Sequence, residues 1–194
     1  TYREFETYPL PFIELVYDTI FTTQADTIVL VAQEGFASYL WNTGETNDTL
    51  VVTNKTTENY IIEVTDINGC GTASDSTLVI TYNVGVSSLI SPKSACEHTS
   101  AESVRIYLKN YGQDTLKLGT EIPVSYIFDY GAPVNETLTL SSDLLPSGTA
   151  IYTFDEKVDL VAEKTYHVKT YSGFELDVNR ANDTLVDAVK TFGY

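Results

Sequence analysis

Apolar residues recur at every second position along most of this chain, and no long stretch shows a 3.6-residue period instead. Residues 27–31, 50–53 and 60–65 are rich in β-branched side chains and bounded by Gly, Asn, Asp or Ser, the signature of short strands. In the third, Tyr60, Ile62 and Val64 share one face, while Ile61, Glu63 and Thr65 share the other. Turns are predicted at Asn42-Thr43-Gly44, Asp66-Ile67-Asn68-Gly69 and Asn83-Val84-Gly85, where Gly or Asn takes positive φ readily. The second half repeats the alternation. Residues 104–109 are closed by Asn110-Tyr111-Gly112, and Ile122, Val124, Tyr126 and Phe128 line one face before Asp129-Tyr130-Gly131. Leu138 and Leu140 continue the pattern, Pro146-Ser147-Gly148 turns the chain, and residues 151–154, 165–171 and 185–189 supply further strands. Strands at this spacing predict an all-β fold of two tandem immunoglobulin-like β-sandwich domains.

A length of 194 residues suits two domains of about 100 residues each. Residues 1–9 read as a leader from a preceding region, 10–83 as the first domain and 84–194 as the second, with a short linker over 82–88. Eleven cations against 27 carboxylates give a net charge of −16. Nucleic acid and anionic membrane surfaces would repel such a chain. No apolar run approaches the roughly 18 residues that cross a bilayer, so no membrane insertion is expected. The chain has no methionine and no signal-peptide pattern at Thr1-Tyr2-Arg3-Glu4, and it reads as a processed or excised piece.

Candidate chemistry is sparse. His98 and His167 stand apart from any nucleophile elbow, zinc-protease or phosphate-loop motif, and His167 falls at an outward strand position, so no enzyme is expected. Trp41, the sole tryptophan, falls on the third strand, where a sandwich buries one against the opposite sheet. Tyr60 is placed to hold a corner through its hydroxyl, and Tyr107 and Tyr171 are candidates for a sugar-stacking face. Asp177, Asn179, Asn182 and Asp183 pack hard oxygen donors into a short loop, the chemistry that Ca²⁺ selects, and Asp66 with Asn68 is a thinner version. The same residue types are ordinary turn formers, and that reading is preferred; no other cofactor is expected. Cys70 and Cys96 could pair arithmetically. A final first-domain strand of about ten residues would leave Cys70 roughly 30 Å from the junction, whereas a bridge needs Cα atoms about 6 Å apart. Two free thiols and no disulfide are expected.

Two blocks of the first half, Phe36-Ala37-Ser38-Tyr39-Leu40-Trp41-Asn42-Thr43-Gly44 and Tyr60-Ile61-Ile62-Glu63-Val64-Thr65-Asp66-Ile67-Asn68-Gly69-Cys70, resemble the PKD-like, immunoglobulin-like repeats of large secreted proteins of Bacteroidota. Relatives of that kind often carry an earlier cysteine that can pair with the one at Cys70; none exists here. Ser91-Pro92-Lys93-Ser94-Ala95-Cys96, Asn110-Tyr111-Gly112, Ile122-Pro123-Val124-Ser125-Tyr126 and residues 177–184 are similar to a CARDB-like adhesion domain of the same proteins. The resemblance implies type IX secretion, an extracellular or cell-surface location, and a non-catalytic place in the stalk or adhesive array of a gliding-motility type of adhesin. Partners would be neighbouring repeats of the same polypeptide, surface polysaccharide or another cell-surface protein. The alternative is an accessory polysaccharide-binding or spacer module of a secreted multidomain hydrolase. Asp-(Ser/Thr)-(aliphatic or Thr) recurs at Thr19, Thr27, Thr49, Ser76, Thr115 and Thr184, and resembles the O-glycosylation consensus of exported Bacteroidota proteins. The structural account is that Asp ends a turn and Thr begins a strand. The Asn-x-Ser/Thr sequons at Asn47, Asn54, Asn135 and Asn182 carry little weight in a bacterium.

Overall fold

Pleating sends successive side chains to opposite faces, so an alternating strand has one face to bury and one to leave in water. The computed structural model describes residues 8–23, 26–53 and 56–193; Asn54 and most of the expected leader lie outside them. The chain is all-β and divides between Ile80 and Thr81 into two units.

In the first unit, β1 (Thr19–Phe21), β6 (Thr72–Ile80), β5 (Glu58–Thr65) and β3 (Ser38–Trp41) form one sheet in that order. The strands β2 (Ile28–Val31) and β4 (Thr49–Val52) form the other. The alternating faces read from the sequence are the buried ones: Ile28 and Leu30, Leu50 and Val52, and Tyr60, Ile62 and Val64 all close on Trp41. The first strand runs parallel to the last, with Thr19 beside Leu78 and Phe21 beside Ile80. This pairing was not legible along the chain, because β1 has only three residues.

In the second unit, β7 (Val84–Ser91), β8 (Glu102–Asn110) and β11 (Thr149–Val158) make a three-stranded sheet with β8 at its centre. The facing sheet has the order β10 (Pro133–Thr139), β9 (Glu121–Phe128), β12 (Thr165–Ser172), β13 (Thr184–Lys190). Three strands against four, with the third, fourth, sixth and seventh strands sharing a sheet, is the Greek-key order of an immunoglobulin-like sandwich. Val104, Ile106 and Leu108 from one sheet meet Ile122, Val124 and Tyr126 from the other, and Phe154 packs edge-on to Tyr126 with centroids 4.8 Å apart. Burial among these rings pushes the Tyr126 hydroxyl up to about 12.

One expected feature is overturned. Asn83-Val84-Gly85 is no turn, and residues 84–88 are no linker: Val84 opens β7, which pairs along its length with β8. Gly85 is there for space. A Cβ at that position would sit 2.3 Å from the Asn182 carbonyl oxygen, so only glycine lets the two backbones approach. The division at Ile80 follows because Tyr82 and Asn83 already bond within the second unit, Tyr82 O accepting from Val178 and Asn83 O from Tyr111.

Among the described residues, twelve buried apolar side chains form the first core and nineteen the second. Buried apolar area sets much of a domain's stability. Calorimetry should therefore resolve two transitions with the first unit melting earlier, and the Trp41 emission shift should follow the earlier one. A single transition, or the reverse order, would contradict this.

Candidate functional site

Residues 177–183 close the second unit where its first strand begins. Asp177 is fully buried: Oδ2 accepts the Val84 N–H and Oδ1 the Asn179 N–H, each at 2.5 Å. Asn179 caps the short 3₁₀ turn Arg180–Asn182, its Oδ1 accepting from Ala181 N at 3.2 Å. Asn182 Nδ2 donates to Asn83 Oδ1 at 2.7 Å, and Arg180 Nη1 donates to Asp183 Oδ2 at 3.2 Å. Removal from water pushes the Asp177 carboxyl up to about 6, although its two N–H donors pull the other way and the nearby Asp183 charge adds to the rise. Asp183 is also raised by burial, against the pull of Arg180.

Calcium takes about six to eight oxygen ligands. Both Asp177 oxygens and Asn179 Oδ1 are committed to main-chain N–H groups, and Asp183 Oδ2 holds a guanidinium. Within this loop, Asn182 Oδ1 and Asp183 Oδ1 are buried without a hydrogen-bond partner among the described residues, and the Ser172 hydroxyl donates to Val84 O. Two open oxygens beside a cation do not make a calcium cage, so these residues do not fit the ion. Asp66 is committed in the same way: its Oδ2 accepts from Asn68 N at 2.8 Å, and Gly69 turns with φ 71°. No group of three His, Cys, Asp or Glu side chains is placed to hold a metal among the described residues.

His98 Nδ1 lies 3.9 Å from Glu102 Oε1, beyond hydrogen-bond reach, and that oxygen already accepts from both Thr99 N and Thr99 Oγ1 at 2.8 Å. An open cavity of about 490 Å³ beside it is lined in part by Cys96, His98 and Glu163. Among the described residues His98 Nε2 is buried there without a hydrogen-bond partner, so no hydrogen bond joins it to a nucleophile. His167 is half-buried beside the Tyr130 ring, with centroids 5.0 Å apart, rather than projecting freely from its strand. Cys70 and Cys96 are exposed free thiols.

Trp41 is 1% exposed and donates Nε1–H to Asn47 O at 2.9 Å, so it is a core residue. Tyr60 is buried, but its hydroxyl sits 3.5 Å from Glu58 Oε2, a long contact to a side chain rather than a backbone corner. Tyr107 and Tyr171 are on outward positions of opposite sheets, β8 and β12, and do not form one stacking face.

The six candidate hydroxyls share a local logic. The residue after each turns inward: Ile28, Leu50, Thr77 and Leu116 are buried, and Ile20 and Leu185 are partly so. Thr19, Thr49 and Thr184 are first residues of strands, and Thr27 immediately precedes one. Thr19, Thr27 and Thr184 are exposed, while Thr49, Ser76 and Thr115 are half-buried. Ser76 departs from the pattern by lying inside β6, where Asp75 Oδ2 accepts the Leu15 N–H at 2.6 Å. Asn110 was missed as more than a turn residue. It is fully buried, its Nδ2 donating to Asp114 O and Leu144 O at 2.7 and 3.0 Å. Its inward parity after Leu108 was the available signal.

No family model and no curated protein matches the chain. Among solved structures, three domains of the outer capsid protein Hoc of bacteriophage RB49 are 10% identical, covering 94% of this chain and 70% of that one at a TM-score of 0.48. A CARDB domain from Pyrococcus furiosus, crystallised with di-metal ions, is 13% identical over 74% of this chain and 100% of that one at 0.38. The titin immunoglobulin tandem A164–A165 is 11% identical over 94% and 96% at 0.31. The strand order itself defines the class: a tandem of immunoglobulin-like sandwiches.

Proposed function

We propose that this chain is a non-catalytic stalk and adhesive segment of a large secreted cell-surface adhesin of the Bacteroidota gliding-motility type, exported by the type IX route and joined to neighbouring repeats. The observation that carries the reading is the parallel placement of first and last segments in each unit. In the first, β1 and β6 run parallel; in the second, Tyr82 bridges Asp177 and Ala95 bridges Thr191, both in parallel. Tension drawn through the chain pulls such a pair in opposite directions along its length. All the linking hydrogen bonds are then loaded together rather than opened one at a time. That geometry suits a spacer held under load.

Single-molecule stretching of the whole chain should give two separate rupture events, each releasing about 3.5 Å per residue of the unit that opens. Smooth extension without rupture events would remove the stalk reading. The exposed hydroxyls of Thr19, Thr27 and Thr184 are the accessible modification positions in the native host. This 194-residue segment, expressed and exported in that host, should exceed its sequence mass of 21.5 kDa by whole sugar residues. An unmodified mass sinks the modification and leaves the stalk reading intact.

A further inference from the structure

Charge is unevenly divided along this chain. Of the eleven lysines and arginines only two precede Thr81, against twelve carboxylates, so the second unit holds the other nine. Three of those nine, Arg105, Lys109 and Lys157, lie on one surface, the outer face of the β7–β8–β11 sheet. On β8 the buried positions are Val104, Ile106 and Leu108, which leaves Arg105, Tyr107 and Lys109 pointing outward. Thr153 stands opposite Arg105, Ile151 opposite Tyr107, Thr149 opposite Lys109, and Lys157 opposite Ser103.

The partners of these cations are neutral. Arg105 Nε donates to Thr153 Oγ1 at 3.2 Å, Lys157 Nζ donates to Ser103 Oγ at 2.8 Å, and Lys109 Nζ sits 5.0 Å from the centre of the Tyr111 ring. None forms an ion pair with a carboxylate among the described residues, whereas Lys117, Lys164 and Arg180 of the same unit each do. Asp155 and Glu156 lie in the irregular stretch of β11 between Thr153 and Lys157, at one end of the face. In a chain with more than two carboxylates per cation, a row of cations bonded to hydroxyls and a ring keeps its charge for something outside the molecule.

We propose that this face binds a uronate-bearing acidic polysaccharide; the inference rests on the adhesive reading above and names its ligand class. Charge complementarity selects an anion. The neutral positions point to sugar: Ser103, Thr149 and Thr153 set hydroxyls around Tyr107, and although Arg and Tyr also recur where proteins bury surface against one another, Lys and Ser are depleted there. Hydroxyls of the kind carried by Ser103 and Thr153 bond sugar hydroxyls, and tyrosine rings offer flat apolar area to a pyranose. Arg105 and Lys109 are four residues apart on one strand, about 13 Å, a span that several sugar units bridge. At 0.15 M salt the screening length is about 8 Å, so a bound chain senses this face more strongly than carboxylates across the sandwich.

The test is titration of the intact 194-residue chain with polygalacturonate at 0.05 and 0.15 M salt, with a neutral glucan and poly-glutamate alongside. The expected result is binding to polygalacturonate alone, weakened by salt, and reduced at least about tenfold in the triple variant R105A/K109A/K157A. K169A, on the opposite sheet, should bind as the parent does. An unchanged melting curve of the triple variant shows that the loss is local; if that variant fails to fold, the three single variants replace it. No binding to polygalacturonate, or binding that the triple variant retains, overturns the proposal. Equal binding to poly-glutamate overturns the sugar assignment, and preference for the neutral glucan overturns the charge argument. Rupture behaviour under tension is independent of all these outcomes, so failure here is distinguishable from failure of the stalk reading.

Discussion

Asp177→Ala is expected to destabilise the second unit by about 3–5 kcal/mol. The carboxylate satisfies the Val84 and Asn179 N–H groups inside the fold, and removing it leaves two donors without acceptors. Each buried orphan costs about 1–3 kcal/mol. Denaturant melts followed by far-UV circular dichroism would measure the loss, and a change below about 1 kcal/mol would show that the corner is not needed. Asp177→Asn adds a dependence on pH. Burial raises the folded-state carboxyl to about 6 from the ordinary 3.8, so the folded chain binds this proton more tightly than the unfolded chain. The associated stability is fully present below about pH 4 and is lost as pH rises through about 6. Asparagine cannot titrate. The stability difference between parent and variant should therefore shrink by roughly 2–3 kcal/mol from pH 4 to pH 7. A difference that is flat or grows with pH would refute the assignment.

Trp41→Ala is expected to cost the first unit about 3–5 kcal/mol. Its ring is 1% exposed, in a core of only twelve buried apolar side chains among the described residues. It also bonds Asn47 O, across the connection between β3 and β4. Trp41→Phe refills most of the volume but not the hydrogen bond, and should lose roughly half as much. Calorimetry separates the outcomes: the earlier transition should move and the later one should not. A shift in the later transition alone would place Trp41 in the wrong core.

What could be read from the residues was whatever a period of two encodes. Val104, Ile106 and Leu108 alternate in the sequence and are fully buried in the fold, and Ile122, Val124 and Tyr126 behave likewise. What could not be read depended on residues far apart. Asn83-Val84-Gly85 looks like a turn because Asn and Gly favour turns, yet Gly85 answers to the Asn182 backbone nearly a hundred positions later. The oxygen-rich run at 177–183 drew attention for its ligand chemistry, and only the position of Val84 N shows that Asp177 serves the backbone. Tyr107 and Tyr171 look equivalent along the chain, and sheet membership alone separates them. The basic face was missed because Lys157 joins Arg105 and Lys109 only through the β8–β11 register.

The bond from Val84 N to Asp177 joins residues 93 positions apart. A chain delivered from its amino end therefore exposes its first strand of the second unit long before the group that anchors it arrives. Until then that strand's opening N–H has only water. Closing that loop costs chain entropy before the contact repays it, which makes for slow, late assembly. Any fragment that stops before Asp177 should remain incompletely locked, however much of its sheet has already formed.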